Sequence, residues 1–228
     1  MHVFFDLDGT LTDPREGIVR CLRYALQALG RPSPSDLSLE YYIGPPLQES
    51  FASLLASNDT ALIGQAVSLY RERFAAVGMF ENAVYAGIEN ALTELQEEDR
   101  VLLYVVTAKP TVFAKEILNH FGLSRFFQNT YGSELDGTRS NKEELIAHVL
   151  AEESIAANTA VMVGDRKHDV RGAVTNGVTP LGVLWGYGSR QELTEAGACL
   201  FCEHPGALVD VLSSHPPFKA LTADGLIA

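Results

Sequence analysis

The chain has 228 residues, 46% of them hydrophobic and 20% charged, the proportions of a globular protein with one large domain or one domain and a smaller insert. Its formal net charge of −12 argues against a nucleic-acid polymer as partner, while an anionic substrate stays possible wherever a local cation reverses the sign. No apolar run approaches the roughly 18 residues of a membrane span and the start lacks a secretory pattern, so a cytoplasmic protein with no membrane partner is expected.

FFDLDGTLTD (4–13) opens the chain: Phe4 and Phe5 read as a buried strand, and Asp6 and Asp8 follow it two residues apart. A period of two points both acids the same way. Asp13, Pro14 and Glu16 then fit the N-cap, first and third positions of a helix, with Ile18, Leu22, Ala25, Leu26 and Leu29 at helical spacing and Gly30 to end it. RPSPSD (31–36) is a turn-rich connection. Leu47, Phe51 and Leu54 mark a second helix, and Leu62, Ala66, Leu69 and Phe74 a longer one ending near Gly78. Residues 14–82 thus form a small helical domain inserted after the first strand.

From residue 87 onward strands and helices alternate. RVLLYVV (100–106), RFFQNTY (125–131), TAVMV (159–163) and TPLGVLW (179–185) are the predicted strands. Between them, Pro110 and Gly122 bracket a helix, and Ser140 with Glu143 and Ser189 with Glu192 fit capping boxes. This alternation predicts a doubly wound α/β domain with a parallel sheet. Cys199 and Cys202, in ACLFCE, are read as strand residues on opposite faces. The tail from about residue 215 is expected to be poorly ordered.

Open parallel sheets bind ligands beyond the carboxyl ends of their strands. To that edge the chain brings Asp6 and Asp8, Thr107 after RVLLYVV, Asp165 and Asp169 in GDRKHD, and Lys142 at the start of a helix. Alone, each Asp would be a turn or cap residue and Lys142 a solvated lysine, although its position opposes the helix dipole. Together they are different. Asp6, Asp8 and Asp165 would repel unless a cation binds among them, and hard oxygen ligands without clustered His or Cys point to Mg²⁺. A phosphate can then enter, a carboxylate attack phosphorus to form an aspartyl-phosphate, and Thr107 and Lys142 hold the other oxygens. The GYG at 186–188 is read as a loop near the site, because Gln191 stands where a dinucleotide fingerprint needs Gly.

DLDGT, the lone Thr107 after a hydrophobic strand, Lys142 and GDRKHD resemble, in order, the four motifs of haloacid-dehalogenase-superfamily phosphatases. The resemblance covers nearly the whole chain, including a helical cap inserted after the first motif as in the phosphoglycolate-phosphatase-like branch. IGPPL and GSELDGTRSNK resemble the 5'-nucleotidase-like members of that branch. The resemblance implies a Rossmann-like core of residues 1–13 and 83–228 with an all-helical cap of residues 14–82. It implies that Asp6 is the nucleophile and that Asp8 is the acid for the leaving group and later the base for water. The implied Mg²⁺ ligands are Asp6, Asp8 through its backbone carbonyl, and Asp165. Asp169 would hold metal waters or Lys142, Thr107 and Lys142 would clamp the phosphate, and Thr10 would support the loop.

The dehalogenase branch lacks the second acid, present here as Asp8, and the phosphonate-cleaving branch needs a cap lysine, of which 14–82 has none. A phosphomutase with the same Asp pair stays an alternative, as does a non-catalytic phosphate-binding regulatory module, which would not need Asp8. The expectation is a Mg²⁺-dependent hydrolase of a small phosphorylated metabolite, a nucleoside 5'-monophosphate or phosphoglycolate. Tyr41 and Tyr42 are candidates to stack a base, and Arg15, Arg20 and Arg23 are read as a mainly solvated helix face.

Overall fold

The computed structural model describes residues 1–98 and 100–214; the tail whose order was in question lies outside the described residues. In chain order the elements begin with β1 (His2–Phe5), α1 (Arg15–Ala28), α2 (Asp36–Glu40), α3 (Leu47–Leu54), α4 (Thr60–Arg73) and α5 (Ile88–Glu97). β2 (Leu102–Pro110), α6 (Thr111–His120), β3 (Asn129–Ser133), α7 (Lys142–Glu152), β4 (Ala160–Gly164) and α8 (Lys167–Thr175) follow. β5 (Thr179–Val183), α9 (Arg190–Ala196), β6 (Leu200–Cys202) and α10 (Leu208–Ser213) complete the series. The chain divides into two compact units, residues 12–83 and the rest. No helix among the described residues is long and apolar enough to cross a membrane.

The six long-sheet strands are parallel, in the order β3-β2-β1-β4-β5-β6. Winding proceeds outward from β1 in both directions, which makes the crevice beside β1 a topological switch point. Helices cover both faces, so β1 shows no polar alternation: Val3, Phe4 and Phe5 are all fully buried. On one face Phe4, Tyr104 and Met162 pack with Leu145, Ile146 and Val149 of α7 and Ala173 of α8. On the other the Phe5 ring meets the edge of Phe127. Phe5 stands opposite both Val105 and Val163, so Asp6 leaves β1 beside Val106 of β2 and Gly164 at the end of β4.

Local signals decide most boundaries. Gly122 takes φ 68°, its N–H reaches Asn119 O, and Leu123 N–H reaches Leu118 O, the paired bonds of a Schellman end for α6. Ser189 Oγ accepts from Glu192 N as predicted, but the Glu192 carboxylate turns away to Arg166 Nε and Lys167 N. Two expectations need correction. The N-cap of α7 is Asn141, whose Oδ1 accepts from Glu143 N at 2.7 Å, not Ser140. The strand predicted over 125–131 starts only at Asn129, because Ser124–Phe126 forms a 3₁₀ turn that buries Phe126 under the Arg125 guanidinium.

In the helical unit Asp13 Oδ1 accepts from Arg15 N at 3.0 Å at the head of α1, and Gly30, with φ 65°, closes a second Schellman end through Gln27 O and Leu26 O. α2 occupies part of what reads as a connection, capped by Ser35 Oγ on Ser38 N. α4 runs on into a π turn, Phe74–Gly78. Gly17 of α1 lies against that turn so closely that a Cβ on it would sit 1.9 Å from Gly78 O. Phe51, Tyr70 and Phe74 fill the space between α3 and α4 with ring-to-ring contacts.

Candidate active site

Asp6 leaves β1 with its N–H on Val163 O, and its side chain is held by Lys142, whose Nζ donates to Asp6 Oδ1 at 2.9 Å. The same ammonium donates to Val106 O at 2.8 Å and lies 2.7 Å from Asp169 Oδ1. Asp169 Oδ2 accepts from Arg166 N at 3.1 Å, which fixes the acid across the first turn of α8. Lys142 is 5% exposed, so its stem must thread the packed layer between α7 and the sheet to bring its charge to the strand ends.

Asp165 is fully buried. Its Oδ2 accepts from Tyr187 N at 2.8 Å, and Thr10 Oγ1 approaches Oδ1 at 3.4 Å. Glycines make room for it. Gly9 has φ 81°, and a Cβ there would strike Asp165 Oδ2 at 2.3 Å; one on Gly188 would meet Asp165 O at 1.9 Å. The GYG segment is therefore a packing loop around Asp165. Asp6, Asp165 and Asp169, all buried, each offer a carboxylate oxygen within 4.8 Å of the others.

Asp8 has different company. Its Oδ2 lies 2.7 Å from Lys109 Nζ, while Oδ1 is buried and has no hydrogen-bond partner among the described residues. Lys109 reaches this point from a bulge: Val106 pairs with Tyr131 and Pro110 with Ser133, so four steps along β2 match two along β3. Within the bulge Thr107, 2% exposed, accepts from Lys109 N through its hydroxyl.

Four carboxylates thus face two ammonium groups in a site shielded from water. Burial pushes the Asp165 carboxyl well above the usual range, with Asp169 and Asp6 adding to the rise. Burial also lifts Asp169, to about 6, against the pull of Lys142. It raises Asp8 as well, outweighing the Lys109 ammonium. For Lys142 burial disfavours the charge, but Asp169 and Asp6 more than offset it and its pKa goes up.

Residues 3–183 match the haloacid dehalogenase-like hydrolase family. The chain belongs to that family, on its phosphatase side. This hydrolase is 49% identical over 214 residues to a 5'-nucleotidase of Pseudomonas aeruginosa, covering 94% of this chain and 96% of that one. It is 38% identical to the tyrosine-protein kinase PtkA of Mycobacterium tuberculosis over 82% of its own length and 62% of the relative's. The crystal structure of a predicted phosphatase from Clostridium acetobutylicum superposes with a TM-score of 0.86 at 41% identity, covering 97% and 98% of the two chains.

For the hydrolase, the residues singled out by the motifs meet at one sheet edge: Asp6, Lys142, Asp165 and Asp169 in one contact network, Asp8 beside it, and Thr107 in the bulge. The strand period brings Asp6 and Asp8 to neighbouring positions but to different lysines. Lys109 carries no motif signal of its own; its position two residues after Thr107 is the only sequence feature that would place it on the same side of the strand. Tyr187 acts through its backbone N–H, which no side-chain pattern reveals.

Proposed function

We propose that the chain is a Mg²⁺-dependent phosphomonoester hydrolase that forms an aspartyl-phosphate on Asp6 and acts on a small phosphorylated metabolite, a nucleoside 5'-monophosphate before phosphoglycolate. The carrying observation is the unequal setting of the two acids of the first motif. Asp6 receives an ammonium hydrogen bond at 2.9 Å, as suits a carboxylate that attacks phosphorus, whereas Asp8 is half-buried with a raised pKa and a buried oxygen that has no hydrogen-bond partner among the described residues, as suits a group that carries a proton.

The donor set fits the metal: three buried carboxylates with oxygens within 4.8 Å of one another, no His or Cys among them, and more negative charge than the lysines balance. Asp6 and Asp165 would hold it, with Asp8 contributing its backbone carbonyl, since its carboxylate is turned to Lys109. Asp169 would serve mainly to fix Lys142. When bound, Mg²⁺ supplies the positive charge that lets a phosphate dianion approach an acidic site. Thr107 and Lys142 would then hold the phosphate oxygens, Asp8 would protonate the departing alkoxide, and Asp8 would next take a proton from the water that releases phosphate from Asp6.

The nucleotide preference rests on the Pseudomonas relative's name and on Tyr41, a residue 67% exposed, whereas Tyr42 is tied to Ser53 Oγ. The helical unit of residues 12–83 would be the cap that selects the leaving group. A cytoplasmic setting belongs to the same reading, supported by three cysteines that form no disulfide among the described residues. The test is hydrolysis of 4-nitrophenyl phosphate with and without Mg²⁺, in wild type and Asp6→Asn, followed by ranking nucleoside monophosphates, phosphoglycolate and sugar phosphates by kcat/KM. Metal-dependent release of phosphate to water is expected, with Asp6→Asn inactive. Transfer instead to a second sugar hydroxyl would mean a mutase, and transfer to a protein tyrosine a kinase.

A further inference from the structure

We infer that Lys109 is a positioning residue for Asp8: its ammonium ties up one carboxylate oxygen, Oδ2, so that the proton used in catalysis travels on the other, Oδ1. This rests on the acid–base role proposed above for Asp8 and deepens it.

Two independent features carry the assignment. The first is the asymmetry of the acid. Oδ2 lies 2.7 Å from Lys109 Nζ, and Oδ1 is buried with no hydrogen-bond partner among the described residues. An oxygen facing an ammonium donor is held as an acceptor and is a poor place for a proton. A buried oxygen without a partner is costly, and the cost is recovered when a reacting group supplies one. The second feature is the construction that delivers the lysine. The β2 bulge holds both Thr107 and Lys109, Lys109 N is anchored on Thr107 Oγ1, and the lysine's side chain reaches Asp8 from there. The facing strand carries Gly132, where a Cβ would lie 2.3 Å from Lys109 O and 2.8 Å from Thr111 N. Only a glycine lets β3 come close to this bulge.

The steps balance as follows. As an Asp6 oxygen bonds to phosphorus, the ester P–O bond breaks, its electron pair goes to the leaving oxygen, and the Asp8 Oδ1 proton moves to that oxygen. In the second half Oδ1 takes a proton from water while the water oxygen bonds to phosphorus and the pair of the breaking P–O bond returns to Asp6. Lys109 keeps its protons throughout.

The leaving group provides the readout. 4-Nitrophenolate departs without a proton, whereas the alkoxide of a nucleoside 5'-monophosphate needs one. Lys109→Met should therefore lower kcat/KM for the nucleotide roughly 10-fold or more beyond its effect on 4-nitrophenyl phosphate, a part of the roughly 10²–10⁴-fold that a general acid contributes. Lys109→Arg should restore part of that ratio, and Lys109→Met should change it no further in an Asp8→Asn background. Equal losses on both substrates, or a full additional change in that background, would overturn the inference and leave Lys109 as a structural or phosphate-holding residue. If Lys109→Met does not fold by thermal melting, Lys109→Gln, which keeps a neutral donor, carries the same comparison. Wild-type metal-dependent turnover and the inactivity of Asp6→Asn test the hydrolase reading separately, whatever Lys109 does.

Discussion

The strand-end cluster of the sheet and the arginine-lined groove of the helical unit both gather charge, and they handle it in opposite ways. In the groove, a cavity of about 510 Å³ edged by Arg15, Arg20, Arg23, Glu81 and Asp36, each arginine has an acidic partner. Arg20 bridges Glu16 and Glu81, with Arg20 and Glu16 at least half exposed, and Arg73 clasps Glu81 with both terminal nitrogens. At the strand ends Asp6, Asp165 and Asp169 are buried and Asp8 half-buried, the acids outnumber their lysines, and Asp8 Oδ1 has no hydrogen-bond partner among the described residues. Paired charge in water is inexpensive and contributes little, whereas buried unbalanced charge persists only where something else completes it. Charge density alone would rank the two regions together; burial and balance separate them.

The largest test of that contrast is Asp6→Asn, expected to cost about 10³-fold or more in turnover with the fold intact by circular dichroism. Retained activity would mean that the buried cluster is structural. Asp165→Asn should raise the Mg²⁺ needed for half-maximal activity by about 10-fold or more, measured by metal titration. A loss of kcat with unchanged metal dependence would take Asp165 out of the metal set. Next comes pH. Folded Asp165 and Asp169 hold protons that the unfolded chain has already released, with Asp169 raised from 3.8 to about 6, so metal-free stability should fall as pH rises through that window. Melting curves in chelator should show the fall, and added Mg²⁺ should raise Tm more at pH 7 than at pH 5. A flat profile would mean that the acids are not strained. The smallest effect belongs to the groove: Glu81→Gln should cost only about 1 kcal/mol in urea unfolding, because a partly exposed ion pair returns little. A far larger loss would erase the contrast.

Much of this was legible in the sequence because the signals are local. Gly30 and Gly122 end helices where a left-handed residue is needed, and Phe4–Phe5 followed by Asp6 marks a buried strand meeting a site. What failed was decided by tertiary context or by a neighbouring residue of equal merit. Phe126 and Phe127 have strand-like character but are spent on a 3₁₀ turn and on the Phe5 ring, so β3 begins late. Ser140 and Asn141 both suit an N-cap, and the backbone uses the second. Lys109 shows the deeper limit. A lysine in a strand carries no sign of its partner until the bulge and the register are known.

One contact at the site has a practical value. The chain has a single tryptophan, Trp185, and its indole N–H donates to Thr10 O at 3.0 Å, on the loop that carries Asp6 and Asp8. The protein therefore comes with its own optical probe. Excited beyond the absorption of the eight tyrosines, its emission reports on the surroundings of that indole, the acid loop among them. Additions of Mg²⁺ and of the substrates proposed above can be followed through it in unlabelled protein, on the time scale of a stopped-flow trace.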